Sequence, residues 1–405
     1  MDPTPNASRP VDSGILSDDS SPKEDRPWVN LVLFLATFVT TVWAGGYLIG
    51  RSLRWGFQPE THLDTVRLLL DPAYLTDGLM YAVPFLLFLT VHEFGHYIAA
   101  RVRKTKVSLP YYLPIPILGA FGTFGAVIRI KEPLRTTRQL FDIGAAGPLA
   151  GFVVAVVVLL IGALTFPPPE YLLSVYGHES LVSEIQQTGQ FPPFHPAPEP
   201  GTMAYVFGST PLYHAVTGLA PMRVSPDELI HYPILLAGWL GLFFTALNLL
   251  PVGQLDGGHV VYAMFGPTVH RVVARVTTLL LLLSGGLGLV RDLAFINPLI
   301  TAGILAAAYL LAAYMLFGAN WRMLLATLGA MMGLTLLILF TVPGLAISVG
   351  WTGWMFWVAM ILFVIRVDHP PVQIDEPLTP GRKALGWLCL AIFLLCFSIQ
   401  PIYIV

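Results

Sequence analysis

Charge is what this sequence has least of. Lys, Arg, Asp and Glu together make up 11% of its 405 residues, against roughly 25% in soluble domains. The formal net charge of −2 offers no basic surface for a polyanion, so no nucleic-acid partner is expected. Cysteine is nearly absent. The two present, Cys389 and Cys396, share one apolar stretch at a spacing that puts both on the same helix face. With no other Cys or His cluster beside them they read as packing residues, which excludes a disulfide framework. The first 27 residues hold no apolar run of the kind a secretory signal needs. Rich in Pro, Ser and Asp, they read as a disordered cytoplasmic tail.

What the chain has in excess is apolar surface, with 55% hydrophobic residues and a mean hydropathy of +0.70. One water-soluble core cannot hide that much, so the bilayer must serve as solvent. A span takes about 20 apolar residues. Windows of that kind fall at 28–50, 79–101, 140–166, 232–250, 272–290, 298–317, 323–346, 351–365 and 384–404. The expected fold is therefore an all-α polytopic membrane protein of about nine transmembrane helices. Arg101, Arg103, Lys104, Lys106, Arg129, Lys131, Arg135 and Arg138 lie between the second and third windows, whereas Arg223 alone represents the basic residues in 167–231. The positive-inside rule puts 102–139 in the cytoplasm and the 167–231 loop outside, with Arg51 and Arg54 weighing weakly the other way. That loop carries a Pro-rich run at 191–200, which favours extended structure over a packed domain.

The second window contains Val91-His92-Glu93-Phe94-Gly95-His96. On a helix His92 and His96 are one turn apart on one face, so both imidazoles can reach one metal ion, and Glu93 stands beside that face. Zinc brings the pKa of a coordinated water to about 7, and a neighbouring carboxylate can take its proton. On a polar helix this pattern could arise by chance. Here it sits among apolar residues, where each ionisable side chain near mid-bilayer costs on the order of 2.5–3.5 kcal/mol. A third ligand should come from another apolar segment, and Asn248-Leu-Leu-Pro-Val-Gly-Gln-Leu-Asp256-Gly-Gly-His259 offers one. The glycines after Asp256 allow a tight approach, and Pro251 breaks the helix and frees backbone groups. Alone, Asp256-Gly257 would read as a turn; beside the HExxH segment it reads as a ligand.

HEFGH in one span followed by NLLPVGQLDGGH in a later one resembles the site-2 protease family of intramembrane metalloproteases, over roughly residues 79–260. The resemblance implies one Zn2+ per chain held by His92, His96 and Asp256, with Glu93 as catalytic base. The implied activity is an intramembrane zinc-dependent endopeptidase, acting on a transmembrane protein or peptide substrate in the lipid bilayer. Gly253 stands where many members carry a second Pro, a form similar to the chloroplast and cyanobacterial branch, and no PDZ-like insertion is evident. The organisation expected is a tail (1–27), a first helix with its loop (28–78), a metalloprotease core (79–265) and C-terminal helices (266–405). A bacterial inner membrane is the expected setting, with the site towards the cytoplasm. Oligomeric state stays open.

Three further segments bear on substrate. The 110–130 stretch, with Gly122, Gly125 and a β-prone end, predicts a membrane-associated β-hairpin after the second span (Gly119–Ile130 at its tip and return strand). Either its edge holds unwound substrate or it is a plain plug. Asn248 could hold an extended substrate backbone or tie off carbonyls freed by Pro251. Gly147 and Gly151 form a small-residue face suited to close helix packing, with Asp142 just before it as a cap or interfacial residue. His178, His195 and His214 lack ligand spacing and read as ordinary loop residues, and His259 reads as a satisfied interfacial one. A metal or proton transporter is the main rival, but its polar residues would be spread over several spans, and it leaves Glu93 unexplained.

Overall fold

The computed structural model describes residues 26–50, 70–117, 121–175, 178–192, 205–293 and 297–404. The expected tail at 1–25, Arg51 and Arg54, Gly119, and the 193–200 part of the Pro-rich run with His195 lie outside the described residues. The chain opens with α1 (Pro27–Ile49) and α2 (Pro72–Val102). Asp71 starts α2 seven residues before the apolar window by accepting from the N–H groups of Ala73 and Tyr74 at 2.9 and 3.0 Å, with Pro72 in the first turn.

Strands β1 (Tyr111–Pro114) and β2 (Thr123–Val127) follow as an antiparallel hairpin that pairs Tyr111 with Val127 and Tyr112 with Ala126. It lies against α1 and α2. Asn30 donates to the Leu109 and Pro110 carbonyls, Thr40 donates to Gly122, and Tyr81 to Phe121. Thr40 is mid-helix in α1, so the hairpin does enter the depth of the spans.

Next comes α3 (Thr137–Leu164), N-capped by Thr136, which accepts from the Gln139 N–H at 3.1 Å. The expected outer loop is more than extended chain. It forms α4 (Glu179–Thr188), β3 (Tyr205–Phe207) and α5 (Pro211–Thr217), and buries Leu172, Leu181, Val182 and Ile185 in the main core cluster. Helix α6 (Pro233–Asn248) and α7 (Asp256–Leu293) then carry the second motif. Helix α7 is broken at Gly266, whose φ of 82° and ψ of 173° are non-helical, followed by Pro267. The C-terminal part is α8 (Pro298–Phe317), α9 (Trp321–Thr341), α10 (Pro343–Val349), α11 (Gly353–Met360) with a π turn at Ile361–Ile365, α12 (Pro380–Cys396) and β4 (Ile402–Ile404). Strand β4 pairs with β3, so the C-terminal end of the described chain lies with the 167–231 layer. Cys389 and Cys396 are both buried and unbonded in α12.

The expected nine spans are corrected by this architecture. Among the described residues six helices are long and apolar enough to cross a membrane, α1, α2, α3, α7, α8 and α9, or up to seven if α10 and the α11 segment, bent by 58°, make one span. The windows at 232–250 and 384–404 do not qualify. Helix α6 stops after 16 residues, about 24 Å of rise against the roughly 30 Å hydrocarbon core, because the turn containing Pro251 ends it. Helix α12 has 17 residues. A hydropathy window cannot tell a lipid-facing helix from one buried in protein, and α6 buries thirteen of its residues, whereas only 11% of the α9 window is buried.

The site is made where α2, α3, α6 and α7 pack on one another, with α1 and the hairpin along α2.

Candidate metal centre

Helical phase puts His92, Glu93 and His96 on the inward side of α2, with 3%, 7% and 7% of their surface exposed. The α6–α7 turn brings Asp256 to them as the first residue of α7. Gly257 is needed there, since a Cβ would run into the Leu249 and Leu250 carbonyls that close the turn. His92 Nε2 and His96 Nε2 are 3.1 Å apart. Asp256 Oδ2 lies 3.4 Å from the first and 3.3 Å from the second.

Those three separations are informative. Ligands about 2.0–2.1 Å from a tetrahedral zinc sit about 3.3–3.4 Å from one another. The protonation pattern agrees. The His96 Nδ1–H donates to the Ile143 carbonyl at 2.7 Å, which leaves Nε2 with a lone pair and no proton. That lone pair faces a second ring nitrogen and a carboxylate oxygen, so three ligand atoms converge on one point where a cation can lie. The donor set fits zinc. The open side is at Asp256, whose side chain is 15% exposed against 4% for His92 and 9% for His96.

Helix α3 shapes the site from behind. Gly147 lies flat against the His96 imidazole and Gly151 against His92, so that a Cβ at Gly147 would collide with the ring. The sequence marks these glycines only as a packing face; their partners turn out to be the two histidines themselves. Asp142, one turn earlier, is an ion-pair hub that holds Arg103 at the end of α2 and Arg382 at the start of α12, the latter at 2.7 Å.

The remaining sequence candidates fall as follows. The Asn248 amide nitrogen is 3.3 Å from His92 Nε2, at the rim of the three-ligand cluster. Glu93 stands beside the cluster, and the backbone amide of Ile128, just past β2, approaches its carboxylate. Gly125, with φ of 104°, faces Phe244 of α6. Gly122 instead backs onto α1, where a Cβ would meet the Thr41 backbone. Strand β2 pairs only with β1 among the described residues, so its other edge is unpaired.

His369 is a residue that sequence reasoning missed. It comes from a strap, residues 366–379, that crosses the site end of the bundle. The strap is tied down by Ile374, which exchanges backbone hydrogen bonds with Arg135 and Thr137, and by Thr137 Oγ1 donating to Asp375 at 2.7 Å. His369 Nε2 lies 2.9 Å from His259 Nδ1. The strap and the 130–134 segment that follows the hairpin together wall a cleft of about 430 Å3 lined by Ile130, Glu132, Gln254, His259 and His369. Only the long gap between 259 and 369 hid this pair; no local pattern announces it.

Comparison with known proteins follows the same residues. The chain is 32% identical over 230 residues to the Probable zinc metalloprotease EGY2, chloroplastic, of Oryza sativa subsp. indica, covering 55% of this chain and 35% of that protein. It is 29% identical over 273 residues to the Probable zinc metalloprotease EGY1, chloroplastic, of Arabidopsis thaliana, covering 65% of this chain and 45% of that one. The aligned stretch thus makes up less than half the length of either relative. No solved structure matches the chain. The sequence model of peptidase family M50 matches residues 80–285, slightly more than half of the chain and the whole of both motifs, and the chain belongs to that family.

Proposed function

We propose that the chain is an intramembrane zinc endopeptidase that hydrolyses peptide bonds in or beside transmembrane segments of other membrane proteins. The observation that carries this reading is the meeting of His92 Nε2, His96 Nε2 and Asp256 Oδ2 at 3.1–3.4 Å inside a bundle of spans. In it His92, His96 and Asp256 hold one zinc ion. When bound, zinc supplies the Lewis acidity that makes water a nucleophile near neutral pH. Glu93 takes the proton of that water, and the low polarity around it favours holding the proton until it passes to the leaving amine. Asn248 and the free edge of β2 with Gly125 hold the substrate backbone extended past the open side, because a helical substrate hides its carbonyls. Gly122 serves this by letting the hairpin seat on α1. The working core is 79–265, and the helices of 266–405 enclose it. The site faces the side of the basic 102–139 segment, which is the cytoplasmic face of a bacterial inner membrane or its counterpart in the chloroplasts named for the relatives.

The test is Glu93→Gln, which keeps size and hydrogen bonding but cannot accept the proton. Zinc content should stay at the wild-type level while cleavage of a transmembrane reporter falls by about 10²–10⁴-fold. Near-normal cleavage by this variant would overturn the reading.

A further inference from the structure

At the opposite end of α6 from the metal centre, three ligand-bearing side chains converge that the activity does not use. His178, at the start of α4, and Glu228 and His231, in the 3-10 turn Glu228–His231 before α6, bring one ligand atom each within 4.8 Å of one another. His178 Nε2 lies 3.2 Å from Glu228 Oε2, and His231 Nε2 lies 4.0 Å from the same oxygen. The two imidazoles meet edge to face with centroids 4.9 Å apart. This is not a solvated surface cluster. Glu228 is 5% exposed and each histidine side chain 16%, under the buried Leu229, Ile230 and Tyr232.

The local chemistry prepares the site for a cation. In a 3-10 turn residues i and i+3 eclipse, so Glu228 and His231 project from one edge. His231 Nδ1–H donates to the carbonyl of Ile49, the last residue of α1, at 2.8 Å. A carbonyl can only accept, so the proton of a neutral ring is on Nδ1 and the Nε2 lone pair points towards the Glu228 carboxylate. With His178 Nε2 at 3.2 Å and His231 Nε2 at 4.0 Å, the Glu228 carboxylate faces two imidazole nitrogens across a gap that a cation can join. An imidazole fixed through its far nitrogen by a carbonyl is how metal-ligating histidines are oriented, and the same device serves His96 at the metal centre.

We propose that His178, Glu228 and His231 form a second metal site, binding a divalent transition metal of the zinc class through two imidazole nitrogens and one carboxylate oxygen. Two nitrogens and one oxygen suit zinc better than calcium or magnesium, which take oxygen ligands. The contacts show what the ion would join: the end of α1 through Ile49, the start of α4 through His178, and the entry to α6 through His231. Its role is a staple that fixes the outer end of the helix carrying Asn248 at its other end. His231 and Glu228 close in by about 0.7 Å when it binds, since their 4.0 Å separation exceeds a tetrahedral edge of about 3.3 Å.

The experiment loads the full-length chain in detergent with Zn2+ alone, removes the excess by desalting and measures zinc per chain by elemental analysis. Wild type should hold two equivalents. His92→Ala/His96→Ala should hold one, and adding His178→Ala/His231→Ala to that variant should leave none. The double variant at the metal centre does not touch the outer cluster, so its one remaining equivalent cannot be lost to misfolding there. Wild type with a single equivalent that disappears in His92→Ala/His96→Ala would overturn the proposal. So would an equivalent in that variant that survives His178→Ala/His231→Ala. One equivalent in wild type that survives His92→Ala/His96→Ala but vanishes in His178→Ala/His231→Ala supports the outer site while contradicting zinc at the centre.

Discussion

Gly147 shows how a residue without a side chain sets the chemistry of its neighbours. Because the His96 ring rests on it, Gly147→Ala should push the imidazole off its line to Asp256. Zinc content and cleavage should both fall, by about tenfold or more, on the scale seen when an orienting neighbour of a metal ligand is lost. Gly329→Ala, at a position with nothing within 4 Å of the added carbon, should leave both unchanged; zinc analysis of the two variants makes the comparison. Asn248→Ala separates substrate holding from scaffolding. If the amide stabilises the reacting carbonyl, zinc and thermal stability persist while cleavage drops by about 10²–10³-fold; parallel loss of melting temperature and activity would make it structural. At this scale the sequence was most legible. His92, Glu93, His96 and Asp256 stand out because ionisable residues in apolar runs demand a reason. Ile143, Gly147 and His369 do not, since they act through a main-chain carbonyl, a missing side chain and a contact more than a hundred positions away.

Elements were legible where one segment settles its own fate and illegible where a neighbour decides. The window at 79–101 lies within α2, and the glycine-rich 110–130 stretch does form the β1–β2 hairpin. Helix α6 matches its window in composition, yet its length is set by the Pro251 turn and its surroundings by the helices that cover it. The strap at 366–379 has no periodic pattern at all, and it is held by partners from α3 and α7. It should loosen in acid. Burial, with His270 adding to it, pushes the His369 imidazole from its ordinary 6.5 down to about 4. As pH falls from about 6.5 to about 4 the unfolded chain binds a proton that the folded strap resists, so the stabilising contribution, full above about 6.5, is lost across that window. Melting temperatures in detergent at about pH 7 and about pH 5 should therefore fall more for wild type than for His369→Gln.

Across the whole molecule, two kinds of helix divide the labour. Helices α2, α3 and α6 shelter the ligands, whereas α9 turns most of its surface outward. Composition foretold the membrane but not this division, because apolar residues face lipid and protein alike. Helix α7, 61% buried over its most apolar window, belongs with the first group, and its break at Gly266 separates a short leg that begins with Asp256 from a long leg that runs to Leu293. Spans respond to a bilayer thinner or thicker than their apolar length by tilting. A continuous helix would carry that tilt to its end as a displacement of the ligand. A joint at Gly266 would absorb it, and the geometry around Asp256 would then be insulated from the thickness of the lipid. Gly266→Ala has open space for its methyl group but strains a conformation open in practice only to glycine, by about 1–3 kcal/mol. It should shift the joint towards a straight helix. In liposomes of increasing acyl-chain length, cleavage by wild type should vary little and cleavage by Gly266→Ala should become steeply thickness-dependent; equal profiles would show that the joint carries no such load. The enzyme would then tolerate membranes of differing lipid composition because one glycine lets a ligand-bearing helix bend and not tilt.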